Sequence, residues 1–200
     1  MLIALTGKSC SGKNQVGAIL QELGLQVWDL DSLAHDGLKA NANAIISAFG
    51  PEIVHQSNGA TEISRRALSD IVFKDSQKRT QLESILYPWI KEKILAYDNE
   101  HPSEILVING ALIYRSGLSK LCSFVIFVDA PYQVRLQRAI VRDNLTEDKF
   151  ALRENSQFDV DYRDVDYGVP LHVLRNDEPC MDKLRQQVFN IYRLIQKGSL

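Results

Sequence analysis

Leu2, Ile3, Ala4, Leu5 and Thr6 run directly into Gly7-Lys8-Ser9-Cys10-Ser11-Gly12-Lys13-Asn14, and that junction constrains the fold more than any other feature of the chain. A short run of this kind reads as a strand buried on both faces. The two glycines permit backbone angles closed to residues with a Cβ, and residues 13–23 carry a helical pattern. Strand, glycine-bounded loop and helix together form the start of a right-handed parallel crossover. The expectation is therefore an α/β fold, a parallel sheet flanked by helices.

The rest of the chain extends this pattern. Residues 25–28, 105–108, 124–128 and 172–174 are short runs rich in Val, Ile and Leu, the pattern of further buried strands. Residues 132–142 and 181–195 read as helices, the second with Leu184, Val188, Ile191 and Leu194 on one stripe. Residues 38–103 break the alternation. Helical stretches at 64–73, 75–86 and 88–97 follow one another with no clear strand, which predicts a helical lobe inserted into a core of residues 1–37, 104–142 and 167–200. Residues 143–166 are dense in Asp, Glu, Arg and Lys, Asp159 and Asp164 among them. That charge suits a mobile lid, and equally a solvated helix and loop.

The loop has the form G-x-x-x-x-G-K. Average usage produces that pattern by chance in about one chain of this length in 20, so its place directly after a strand is what makes it specific. Successive loop N–H groups can turn inward on one anion, and the next helix aims its free N–H groups and positive end at the same place. Lys13 adds a mobile charge. A phosphate-binding cradle is favoured over a plain strand-to-helix turn. Lys8 puts a further positive charge beside it. Cys10 reads as an inert small residue, or as an oxidation-sensitive thiol if the loop's field favours thiolate. Asn14 stands where Ser or Thr usually holds Mg²⁺, and its carbonyl oxygen predicts weak or water-mediated metal contact. At the end of the second strand, alternation puts Asp29 and Asp31 on one side, beyond the carboxyl edge where open sheets bind ligands. Either carboxylate could take a proton or hold Mg²⁺ through water; either could equally cap a helix.

Composition excludes several classes. With a formal net charge of -2, the chain has no general affinity for nucleic acid or anionic membrane. No apolar run is long enough to span a bilayer, and the first residues lack the basic region of a signal peptide. Cys10, Cys122 and Cys180 form no paired motif. Free thiols in a reducing cytoplasm are the plain expectation.

Further motifs follow in a fixed order. Val27, Asp29, Asp31, Ala34 and His35 spell V-x-D-x-D-x-x-A-H; Ile63 to Leu68 is followed by Ile71-Val72-Phe73 and Asp75; Leu82-Glu83 leads to Tyr87-Pro88 and Ile90. Leu112 to Leu118, Val128 to Pro131, Arg138, Arg142-Asp143, Arg153 and Gln157 come next. In these residues the chain resembles the dephospho-coenzyme A kinase family. The resemblance implies a P-loop NTPase-type core with a helical substrate lobe and a lid, and transfer of the ATP γ-phosphoryl group to the ribose 3′-hydroxyl of dephospho-CoA. It implies Asp31 as general base, and Lys13 with Gly7, Ser9, Cys10, Ser11, Gly12, Asn14 and Gln15 around the ATP phosphates. It also implies Arg142 on the transferring charge, Asn176 near the adenine, and Asp29, His35, Arg65 and Tyr87 toward the acceptor. Tyr87 replaces the family's His, Arg115 its Glu and Ala111 its Pro. These departures leave open a different small-molecule or nucleoside kinase, and a nucleotide-binding protein with weakened catalysis.

Overall fold

The computed structural model describes residues 1–57, 60–157, 160–163, 166–177 and 180–198, so Asp159 and Asp164 of the charged segment lie outside the described residues. The chain runs β1 (Leu2–Thr6), α1 (Lys13–Glu22) and β2 (Gln26–Asp29), then α2 (Leu30–Ala40), α3 (Ala42–Phe49), β3 (Val54–Ser57), β4 (Ala60–Ile63), α4 (Arg65–Lys74) and α5 (Ser76–Glu100). It continues through β5 (Leu106–Asn109), β6 (Phe124–Asp129), α6 (Tyr132–Asp143), α7 (Glu147–Ser156), β7 (Leu171–Arg175) and α8 (Met181–Gln196). Two compact units result, one of residues 1–29 and 101–200, the other of residues 30–100.

The first unit is an α/β layer structure, as the sequence predicts. Five strands pair in the order β2-β5-β1-β6-β7, every neighbouring pair parallel. All of β1 and β5 and most of β6 are buried, which is why their sequences are continuous apolar runs rather than alternating ones. On one face Ile3, Leu5, Val107, Phe124 and Ile126 pack against Val16, Ile19 and Leu20 of α1 and against Leu184, Val188 and Ile191 of α8. On the other, Phe127 meets the ring of Tyr162 at 4.9 Å. Each strand ends at the same edge of the sheet, so the loops after β1, β5, β6 and β7 converge there.

The second unit corrects the expectation of an all-helical lobe. β3 and β4 form an antiparallel pair with Val54 opposite Ile63 and His55 opposite Glu62. Pro88, read as a helix boundary, lies inside the single helix α5. A proline removes one hydrogen bond and bends a helix without ending it. Here Leu86, Ile90 and Ile94, buried on both sides of Pro88, hold the two halves on one apolar face. Helix α2 packs on α5 at Gly37, where an added Cβ would come within 3.1 Å of the Trp89 ring. The charged segment also contains a regular helix: Thr146 caps α7 by accepting from Lys149 N–H at 3.4 Å.

Ile126 is fully buried on a central strand between two helices. Ile126→Ala should destabilise the protein by about 2–5 kcal/mol through lost burial and a residual cavity, read as a lowered urea midpoint.

Candidate active site

The loop after β1 is shaped by its glycines. Gly7 and Gly12 have φ of 151° and 102°, angles that residues with a side chain rarely adopt. A Cβ on Gly12 would collide with Nδ2 of Asn176, and one on Gly7 with the carbonyl of Val128. Cys10 is itself left-handed at φ 61°, a conformation costing an L-residue about 1–2 kcal/mol. Ser11 N–H closes a turn on Lys8 O at 3.1 Å. The first helical bonds of α1 come from Gln15 and Val16, both to Gly12 O. The leading amides of an α-helix have no acceptor within the helix, and they lie at this loop. The buried hydroxyls of Thr6, at the end of β1, and of Ser11, within the loop, have no hydrogen-bond partner in the protein.

Side chains from α6 and from the end of β7 brace the loop from behind. Arg138 Nη1 donates to Cys10 O at 3.3 Å and Ser11 O at 3.2 Å, and its Nη2 to Asn176 O at 2.9 Å. Asn176 Nδ2 donates to Ser11 O at 2.8 Å. Arg135 is buried and donates to Ala130 O at 3.0 Å and Ser9 O at 3.4 Å. Arg142 is exposed at the last turn of α6, paired with Asp143 at 2.6 Å and donating to Cys10 Sγ at 3.7 Å. Arg135 and Arg138 escape a reading based on roles, yet 135, 138 and 142 have the three- and four-residue spacing of one helix face.

Asn109 is a second residue that the sequence did not single out. It ends β5, in register with Asp29 at the end of β2. Its Nδ2 donates to Asn14 Oδ1 at 3.1 Å and Asp29 Oδ2 at 3.4 Å, while its buried Oδ1 has no partner in the protein. The signal available was its position: a polar residue closing an apolar strand at the sheet's carboxyl edge.

α7 lies against the loop. Lys8 Nζ pairs with Glu154 at 2.9 Å and with Asp161 at 3.3 Å. Ser9 N–H donates to Gln157 Oε1 at 2.8 Å, and Arg153 Nη1 to Ser9 Oγ at 3.4 Å. Burial pushes the Glu154 carboxyl up, but hydrogen bonds from Arg135 and Lys8 outweigh it and hold the group below its ordinary value. The hydrogen bonds of Arg163 hold Asp161 well below the carboxylate range. Burial pushes the Cys10 thiol up, and the opposing charges of Arg142 and Arg153 do not overcome it. The direction of the shift favours the thiol over the thiolate at Cys10.

The remaining predicted residues belong to the second unit. Asp31 is exposed in the first turn of α2, because the strand stops at Asp29; the expected alternation of Asp29 and Asp31 along a strand does not hold. Tyr87 is half-buried on α5. His35, Leu38, Lys39, His55, Ile63 and Arg65 are among the residues lining a cavity of about 510 Å³, and His35 Nδ1 is buried without a partner in the protein. Arg65 begins α4, just after Ser64, whose side chain caps the helix by accepting from Ala67 N–H.

A left-handed glycine loop closing on a helix start, at the carboxyl edge of a five-stranded parallel sheet, defines a P-loop phosphotransferase. The family model described as dephospho-CoA kinase matches residues 1–180. A dephospho-CoA kinase of Parasynechococcus marenigrum is 34% identical over 164 residues, 79% of this chain and 80% of its own length. The chain belongs to the dephospho-CoA kinase family. Among solved structures, TT1252 from Thermus thermophilus superposes with a TM-score of 0.79 at 24% identity over 97% of both chains. The dephospho-CoA kinase from Campylobacter jejuni gives 0.67 at 26% identity, over 100% of this chain and 98% of its own. No described helix is long and apolar enough to cross a membrane.

Two measurements test this geometry. Gly12→Ala, which forces a Cβ into the Asn176 amide, should abolish the rise in melting temperature that ATP produces. The depressed pKa values of Glu154 and Asp161 mean that their contribution is fully present above the ordinary carboxylate range and is lost as pH falls through the folded values. Melting temperature should therefore drop on acidification, with a shallower slope in Glu154→Gln.

Proposed function

We propose that this protein transfers the γ-phosphoryl group of ATP to the ribose 3′-hydroxyl of dephospho-CoA, giving coenzyme A. The observation that carries the reading is the phosphate loop at the start of α1, braced by Arg138, in a chain of this family. Loop amides, the start of α1 and Lys13 hold the triphosphate, so the phosphorus is fixed before the acceptor arrives. Most of the catalysis of phosphoryl transfer is such positioning and charge stabilisation. Asp31 accepts the proton of the attacking hydroxyl, and Arg142 supplies a planar cation to the oxygens that gain charge. His35 and Arg65, with the cavity they line, take the acceptor; the family resemblance adds Tyr87 to these substrate residues. Asn176 keeps the loop in shape on the nucleotide side.

Mg²⁺ fits the donor set. It takes oxygen ligands, needs few from protein, and shares the phosphates. Asn14 Oδ1, the unpartnered Asn109 Oδ1 and the Asp29 carboxylate are oxygen atoms gathered at the loop's edge. These residues would hold it, Asn14 directly or through water. The ion would supply neutralisation of phosphate charge. A cytoplasmic setting accords with three free thiols, Cys10, Cys122 and Cys180.

The test is release of ADP from ATP and dephospho-CoA, with the product's new phosphate located by ³¹P NMR. Asp31→Asn should lower kcat by about 10²–10⁴-fold while leaving the thermal stabilisation by ATP intact. Full activity in that variant, or no turnover by the unaltered protein at high enzyme concentration, would overturn the reading.

A further inference from the structure

Glu154 is a carboxylate set beside a phosphate loop, where negative charge opposes the ligand unless something holds and neutralises it. Two cations hold it. Arg135 grips it through both terminal nitrogens, at 2.5 Å to Oε2 and 2.9 Å to Oε1. Lys8 Nζ lies 2.9 Å from Oε1. The neighbouring Arg153 reaches Ser9 Oγ instead. Arg135 is 4% exposed, anchored to Ala130 O and Ser9 O, with its guanidinium over the rings of Tyr132 and Phe150 at 5.9 and 5.8 Å. It is thus a fixed part of the core. Phe150, fully buried, and Glu154 share one face of α7, being one turn apart. Together they leave α7 a single rotation about its axis.

That rotation decides what the next residues do. Gln157 Oε1 accepts from Ser9 N–H at 2.8 Å, and Arg153 Nη1 lies 3.4 Å from Ser9 Oγ and 3.6 Å from Asp143. Lys8, meanwhile, is drawn to the α7 side of the loop, since Asp161 lies 3.3 Å from the same ammonium.

We propose that Glu154 is a positioning residue for phosphoryl transfer, clamped between Arg135 and Lys8, and that Lys8 serves this clamp rather than binding the nucleotide. The clamp fixes α7 so that Arg153 and Gln157 meet the phosphate loop in one geometry. The proposal rests on the reading of the loop as the ATP site, and adds to it a function for a loop lysine that a phosphate cradle does not itself require.

The experiment uses the full chain, unaltered and as Lys8→Met, Glu154→Gln and the double variant. Three readouts are taken: kcat with ATP and dephospho-CoA, ATP Kd by calorimetry, and hydrogen exchange of the peptide amides of residues 147–157. Each single variant should lower kcat about tenfold with ATP Kd changed less than about threefold, the scale of one charge-assisted contact. The double variant should be no worse than Glu154→Gln alone, because Lys8 acts through Glu154. Exchange in α7 should rise in all three variants, equally in Glu154→Gln and the double variant and less in Lys8→Met, where Arg135 still holds Glu154. The proposal is overturned if Lys8→Met weakens ATP binding by about tenfold or more in both backgrounds, which makes Lys8 a phosphate ligand. Unchanged kcat and unchanged α7 exchange in Glu154→Gln also overturn it. Glu154→Gln preserves shape, so its circular dichroism and melting curve separate a lost clamp from a lost fold. The exchange readout needs no substrate. It therefore judges the clamp even if dephospho-CoA is not turned over, and that second failure counts against the function alone.

Discussion

A peptide cannot aim its N–H at an anion without aiming the adjoining C=O the opposite way. In a phosphate loop those carbonyls point into the protein, where each needs a donor or leaves a buried acceptor unpaired at a cost of about 1–3 kcal/mol. Here Ser11 O takes bonds from both Arg138 and Asn176, which leaves the Gly12 N–H directed away from them. Arg138 also holds Cys10 O. Gly12 is glycine for the same reason, since the Asn176 amide fills the space a Cβ would need. The loop therefore requires α6 and the end of β7 to be where they are. The sheet order that brings β6 and β7 beside β1 meets that requirement as much as it buries apolar surface.

How much of this was legible in the sequence follows from what each feature depends on. The strands and the loop were readable because burial on both faces and conformational restriction at glycine act locally, residue by residue. Arg138 stands out in the sequence only as part of a motif, because bonds to backbone carbonyls are invisible in a one-dimensional pattern. Asp31 was placed on a strand because alternation was extrapolated past Asp29, where the chain turns helical. The hairpin of β3 and β4 was missed although Asn58-Gly59 between two short polar runs is a sequence signal for a tight connection. Both strands are only four residues long and largely exposed, so no apolar periodicity marks them. Pro88 misled in the other direction, because tertiary packing of Leu86, Ile90 and Ile94 outweighs the local penalty.

The charged stretch after α6 shows the same limit from the side of electrostatics. Charge density alone describes a solvated lid, and surface ion pairs contribute little. What distinguishes α7 is that its charges are matched to partly buried partners. Arg135 is almost wholly enclosed, and Glu154 and Asp161 meet the loop lysine at contact distance. A pair in that setting is screened far less than one in water. Removing one member leaves the other uncompensated. Sequence reports the number of charges; the fold determines which of them are desolvated.

The departures from the family pattern can be weighed by the same criterion. Asn14 accepts from Asn109, which in turn reaches Asp29, so the longer side chain at the end of the phosphate loop is matched by a second carboxamide. Arg115, reversed in sign from the family's Glu, donates to the backbone of Ser156 at the end of α7. Lys8, in a loop that needs no side chain there, is paired twice. Asn14 has its counterpart across the sheet edge, and Arg115 and Lys8 have theirs on α7. Asn14, Arg115 and Lys8 are thus each held by partners within the fold rather than left as isolated polar groups.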